Sequence, residues 1–410
     1  MTIKNIGPGF LLAGAAIGVS HLVQATRAGA EFGWILIIAL LLACITKYPF
    51  LLFGPLYTSI TQNHLIKGYL SLGKWVFWMY VGITVSSMFI ITAAVSLVTA
   101  GLAAHLFNSS INVFYWSVIV LFFCISLLSI GKYQGLDKSM KIIITLLTFF
   151  TFIAVVMASI KLNTPAKISS IPSLLETSSL AFIVAFMGWM PIPIDASVWH
   201  SLWIQKKGNL QGKSLTKNEV LWDFNIGYLS ASIIAVLFFA LGVLVMFGSS
   251  IEFSESAVGF AQQLVKLYGK SLGNWTEIMI GFAAFITMLS TTLAVTDAYP
   301  RVIASALLTY YPNKKFSHQK IYFITLSILI LCSLSIIQFA SKQFTSLIDF
   351  AAAISFSTAP ILGYFNLKLM KTEEVKSTYL LSKPMIYYTY ACLLFLIAFV
   401  FVFLYSQFYH

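Results

Sequence analysis

Along most of the chain, apolar residues run in long stretches separated by short polar connections. About eleven such stretches can be marked, near residues 8–32, 34–60, 76–107, 113–131, 138–160, 179–204, 224–248, 275–299, 319–341, 344–367 and 386–408. Each approaches or exceeds the roughly 20 residues that a helix needs to cross about 30 Å of hydrocarbon. The pattern predicts an all-α, polytopic membrane protein with about eleven transmembrane helices and no soluble domain. The longest connections are about 161–178 and 249–274. Within the second, apolar residues recur at helical spacing from Glu255 to Leu267, which predicts a short surface helix.

Composition agrees. Of 410 residues, 59% are hydrophobic and 9% charged, whereas a soluble domain carries about 25% charged residues. Only Lys4 precedes the first apolar stretch, and no A-x-A site ends it, so it does not read as a cleavable signal. The net charge of +12 would suit a polyanionic partner, but its distribution points to a bilayer. With a cytoplasmic N-terminus, the inner loops hold most lysines, among them Lys67, Lys74, Lys206, Lys207, Lys314, Lys368 and Lys371. The outer loops hold Lys161, Lys167, Lys266, Lys270 and Lys342. This is the positive-inside asymmetry. It predicts a multi-pass protein of the inner or plasma membrane, with the C-terminus outside and no nucleic-acid partner. Cys44, Cys124, Cys332 and Cys392 all lie in apolar stretches without metal-site spacing and read as packing residues.

Two stretches look broken in mid-membrane. The first, "GPGFLLAGAAIGVSHLVQATRAGAEFGW", is interrupted at Gly18-Val19-Ser20. The sixth, "GWMPIPIDASVWHSLW", holds Pro191 and Pro193, which a continuous helix does not accommodate. Breaks in stretches one and six divide the protein into two five-helix halves, 1–160 and 179–367, with 386–408 as an extra helix. Because five is odd, the halves insert with opposite topology. Interrupted segments at matching positions of inverted repeats point to a transporter's central site.

The first stretch resembles the opening of the Nramp divalent-metal transporters, through "GPGF…AGAEFG". "KYQGLDKSMKIIITLL" at the fifth stretch and Met190-Pro191 at the sixth resemble further family elements. The resemblance implies a LeuT-type fold over residues 1–370. It also exposes departures. The family places Asp-Pro-Gly-Asn at the first break, where this chain has Gly18, Val19, Ser20 and His21. Where the family has Ala-x-x-Met-Pro-His, this chain has Met187, Gly188, Trp189, Met190, Pro191 and Ile192. The third stretch, acidic in the family, has no carboxylate here.

Candidate residues cluster at the breaks. A carboxylate inside a membrane is costly and marks a functional site by default, which singles out Asp195; as the residue opening the second half of helix six, it also suits an N-cap. His21 stands where the family has a metal ligand. With the thioether of Met190, these two make a nitrogen, oxygen and sulfur set that suits Mn, Fe or Zn better than Mg or Ca. Gly18, Ser20 and Met187 complete the expected substrate site, the carbonyls of Gly18 and Met187 as further ligands. Glu31, Asp195, His200 and Asp223 are candidates for a proton pathway. Arg27 and Glu31 are four apart and read as an ion pair, as do Asp297 and Arg301. Asp223 and Asp349 read as residues at helix N-termini, and Lys47 as a lysine snorkelling toward the cytoplasm.

No phosphate loop, dinucleotide fingerprint, HExxH or paired-cysteine motif is present, so neither an enzyme nor a bound cofactor is implied. The expected function is secondary active transport of divalent transition-metal ions, coupled to protons. One alternative keeps the fold and carries a small organic solute such as an amino acid. Its carboxylate would sit at the half-helix N-terminus near Gly18 and Ser20, in a pocket walled by Trp189 and Trp199. Another is a non-transporting sensor on the same scaffold.

Overall fold

The computed structural model describes residues 8–130, 133–161, 172–174, 176–211, 214–249, 253–314 and 317–408. Of the connection expected over about 161–178, residues 162–171 and 175 lie outside them, as do Lys132, Lys167, Lys213 and Lys315. Among the described residues every regular element is a helix, as a bilayer requires of a chain that is not a closed barrel.

Helix α1 (Pro8–Ala16) stops at Ile17-Gly18. The chain resumes as a π-helical turn (Ser20–Ala25) and α2 (Thr26–Phe32). Gly33, at φ +60°, then redirects it through a 3-10 turn into α3 (Ile37–Thr61). Only glycine adopts that conformation without cost. A short α4 (Leu65–Leu72) leads to α5 (Lys74–Leu106), α6 (Val113–Ile130) and α7 (Tyr133–Lys161). Helix α8 (Thr177–Trp189) ends at the second break, residues 190–195, and α9 (Ala196–Gln211) continues beyond it. Then come α10 (Lys217–Met246), α11 (Ala257–Leu272), α12 (Thr276–Tyr310), α13 (His318–Ala340), α14 (Phe344–Met370), a single turn α15 (Glu373–Lys376) and α16 (Lys383–Phe408).

Every expected stretch falls on one of these helices or on a broken pair. Among the described residues, eight helical stretches are long and apolar enough to cross a membrane by themselves; one of them, Ser20–Thr61, is redirected at Gly33. Eight differs from eleven because half-helix α8 is individually short, the first broken helix runs on into α3, and α7 enters only through the short piece Thr145–Ile160. Helices α6, α13 and α16 lie at the periphery, with only a minority of their side chains fully buried. The expected surface helix is α11. It is capped by Ser256, whose hydroxyl accepts from the Gly259 amide, and it buries Phe260, Leu264, Leu267 and Tyr268 rather than lying free.

Glycines set the closest helix approaches, as small residues do between membrane helices. A Cβ on Gly242 of α10 would stand 2.1 Å from the Thr26 carbonyl oxygen, and one on Gly227 2.2 Å from that of Gly9. Both halves of the first broken helix therefore rest on α10 backbone to backbone. Gly54 of α3 makes the same kind of approach to Ser197 of α9, at 2.4 Å.

Three local readings change. Lys47 does not snorkel: its side chain is fully buried, and Nζ donates to the Gly188 carbonyl at 2.6 Å. Asp223 lies in the second turn of α10, and its Oδ2 accepts from the Gly9 amide at 2.7 Å, so the N-terminus it serves is that of α1. Asp349 likewise lies in the second turn of α14 and is committed to Arg27 and Gln24. The Asp297–Arg301 pair forms as expected, at 2.6 Å, and Tyr322 of α13 donates to the same carboxylate.

Candidate functional site at the two helix breaks

The two breaks face each other across a cavity of about 40 Å³. Its walls are Ala15, Ala16, Val19 and Ser20 from the first break, and Trp189, Ile192, Pro193 and Trp199 from the second. Ile91 and Val95 of α5 and Thr291 and Val295 of α12 close the sides.

At the first break, α12 fits closely against the chain. A Cβ on Gly18 would lie 2.7 Å from the Thr291 side chain, and Thr291 Oγ1 stands 3.2 Å from the Ile17 carbonyl freed by the break. Ser20 does not cap the second half-helix; its hydroxyl donates to Ala16 O at 2.8 Å, back across the break. His21 is fully buried and turned toward α10. Its Nε2 lies 2.9 Å from Ala231 O, and Nδ1 lies 2.8 Å from Ser20 Oγ. A carbonyl only accepts, so Nε2 is the donor there; Nδ1 then accepts, and the single Ser20 hydroxyl proton is shared between it and Ala16 O. The ring is thus turned to Ala231 and Ser20 and away from Asp195, and this geometry does not present His21 as a ligand beside that carboxylate. The register of α10, which brings Ala231 to the ring, is the physical reason.

At the second break, Trp189 Nε1 donates to Ser355 of α14 at 3.0 Å. Trp189→Phe removes this donor but leaves Ser355 bonded to Ala351 O. The expected cost is about 1 kcal/mol, read as a modest fall in Tm. Trp199 packs edge-on against Tyr299, ring centroids 5.2 Å apart. Asp195 Oδ2 accepts from the Tyr299 hydroxyl at 3.5 Å, while Oδ1 is buried with no hydrogen-bond partner. Tyr80 Oη, also buried, has none. Met187 and Met190 are buried at the break but do not line the cavity. Of the expected substrate-binding residues, Ser20 alone lines it.

The expected ligands do not converge. His21 faces α10 while Asp195 faces Tyr299 of α12. Among the described residues no three His, Cys, Asp or Glu side chains gather as a metal site would require. The proton-pathway candidates are likewise dispersed. Glu31 pairs with Arg27 at 2.7 Å, Asp223 holds the start of α1, and His200 stacks on Phe224 with both ring nitrogens unpartnered.

Beyond the cavity, at the Gly33 end of the bundle, Arg27 joins three helices. Its Nε donates to Glu31 and its Nη1 to Asp349 of α14, each at 2.7 Å, and the guanidinium lies 4.5 Å from the centroid of the Phe182 ring on α8. Gln24 Nε2 donates to the other Asp349 oxygen at 2.8 Å. Sequence reading missed Thr291 and Tyr299. The run of threonines in "TMLSTTLAVT" was the available signal for the first.

Comparison with known proteins gives this arrangement a context. The chain is 36% identical over 373 residues to an uncharacterized protein of Pasteurella multocida, covering 90% of this chain and 85% of that one. A manganese transporter of Eremococcus coleocola, solved with an aromatic bis-isothiourea compound, superposes with a TM-score of 0.73 at 15% identity, over 98% of this chain and 85% of that one. MhsT in complex with L-phenylalanine superposes with a TM-score of 0.68 at 14% identity, over 98% of both chains. At such identities the likeness is one of fold, the LeuT type. The model of the Natural resistance-associated macrophage protein-like family, Nramp, matches residues 9–406, and the chain belongs to that family.

Proposed function

We propose that the chain is a secondary transporter that carries a divalent transition-metal ion, coupled to protons, by alternating access around the two breaks. Family membership supports the cargo, and so does the manganese transporter that shares its fold. The observation that carries the reading is Asp195: a carboxylate at the second break with one buried oxygen unpartnered. A cation can complete that acceptor, together with the Met190 thioether and carbonyls of the unwound segment. Metal binding to a carboxylate displaces any proton it holds, and coupling enters at that step.

The packing supports the movement. We take 1–160 and 179–367 as the inverted repeats and the lysine-rich connections as cytoplasmic. The first broken helix rests on α10 through Gly227 and Gly242, and α3 rests on α9 through Gly54. Tyr228 of α10 donates to Cys44 O of α3 at 2.5 Å. Helices α1, α2, α3, α9 and α10 thus pack as one body, whereas α8 rests closely on α14 through Gly188 and Trp189. Two sets of side-chain ties from that body to α14 lie on either side of the cavity. Arg27 and Gln24 on Asp349 close the proposed outward side; Asn366 on Phe50 O and Ser197 closes the inward side.

A second reading, a small organic solute as cargo, is favoured by the lining of the cavity, which at about 40 Å³ has to widen to admit one. Its walls are two tryptophans and aliphatic side chains, with Ser20 and Thr291 as the polar groups. Calorimetric titration of the purified protein with Mn²⁺ separates the two. The metal reading predicts binding that Asp195→Ala abolishes and His21→Ala leaves intact. Heat from an amino acid but none from Mn²⁺ would favour the solute.

A further inference from the structure

The buried lysine at the second break plays no part in either reading of the cargo. Lys47 is fully buried, and its ammonium donates at 2.6 Å to Gly188 O, one of the last carbonyls of half-helix α8. The C-terminal end of a helix carries partial negative charge and unpaired carbonyls. In broken-helix transporters such ends, with unwound carbonyls, hold the monovalent cation that drives transport. Here a side chain from α3 already places a positive charge there. Asp195, across the same break, is an electrostatic neighbour of that charge. A charge this deep is costly unless paired; its hydrogen-bond partner is the Gly188 carbonyl, and Asp195 acts on it only through space.

We propose that Lys47 is a tethered cation that fills the cation site at the end of α8, so that the protein takes no Na⁺ or K⁺ from solution. The ammonium is a compact point charge with three donors, comparable in role to a small monovalent ion. Its stem runs from α3, so the charge is held on the α8 carbonyl by the chain itself and does not exchange with solution. The proposal rests on the transporter reading but not on its cargo.

The test is thermal unfolding of the purified protein in detergent, with choline, Na⁺, K⁺ or methylammonium chloride at equal ionic strength. The wild type is expected to unfold at one Tm in all four salts. Lys47→Ala, which empties the site, is expected to unfold at a lower Tm and to regain about 2–4 °C in Na⁺, K⁺ or methylammonium over choline. Lys47→Met, which fills the space without charge, is expected to show no such recovery. Adding Asp195→Asn to Lys47→Met is expected to restore part of its lost Tm, because the carboxylate left unpaired is then removed. A wild type stabilised by Na⁺ or K⁺ over choline overturns the proposal. So does a folded Lys47→Ala that is indifferent to all four cations. If Lys47→Ala does not fold, additive effects of Lys47→Met and Asp195→Asn overturn it. Uptake is not measured, so a wrong cargo leaves this result unaffected.

Discussion

Replacing Arg27 by methionine is expected to lower stability by about 1–3 kcal/mol and to loosen the proposed outward closure. The side chain is about 16% exposed and its partners Glu31 and Asp349 about 32% and 25%, so part of the penalty of a fully buried pair is relieved by solvent. Methionine keeps the stem but removes two charged hydrogen bonds and the contact over Phe182. It leaves two carboxylates on α2 and α14 without the cation between them, and their repulsion drives those helices apart. Thermal unfolding reads the first effect. The second is read by a cysteine introduced at Ser20, whose labelling from the Arg27 side should become faster in the variant. Adding Asp349→Asn to Arg27→Met should recover part of both losses; if it recovers neither, the network does not close this side.

The second large effect is expected at Gly188, where Gly188→Ala should cost about 2–3 kcal/mol. A Cβ there would lie 2.1 Å from Ala352 O, a backbone atom of α14 that cannot turn aside. Accommodation requires α8 to shift away from α14, and the shift also moves the carbonyl that holds Lys47. Alanine's better helix propensity recovers at most about 1 kcal/mol of this. By contrast Gly82, where a Cβ would meet nothing within 4 Å, should tolerate alanine. Unfolding of the two variants side by side checks the contrast, and equal Tm values would refute the close approach.

The architecture was legible because it is written in local signals. Pro191 and Pro193 forbid a continuous sixth helix, Gly18 interrupts the first, and the lysine-poor apolar stretches mark the other long helices, though not the short α4 and α15. Partners were not legible where they come from distant parts of the chain. Asp223 and Asp349 were read as charges suiting their own helix starts, yet their partners lie 214 and 322 residues away, at Gly9 and Arg27. Lys47 was read from its nearness to a helix end; its burial depends on α8 passing within reach, which no local pattern encodes. His21 inherited a metal-ligand position from the family frame. Position along the chain is retained, but ring direction depends on the register of α10 against the π-helical turn, and that register presents Ala231 O.

The central claim is that the paired breaks carry a divalent transition-metal ion with Asp195 as its carboxylate. Uptake of Mn²⁺ into proteoliposomes, for the wild type and for Asp195→Ala with and without a pH gradient, tests it most directly. The account predicts Mn²⁺ entry faster than into protein-free vesicles, enhanced by the gradient, and lost in Asp195→Ala. Vesicles that admit an amino acid but no Mn²⁺, or Mn²⁺ entry undiminished in Asp195→Ala, would contradict it.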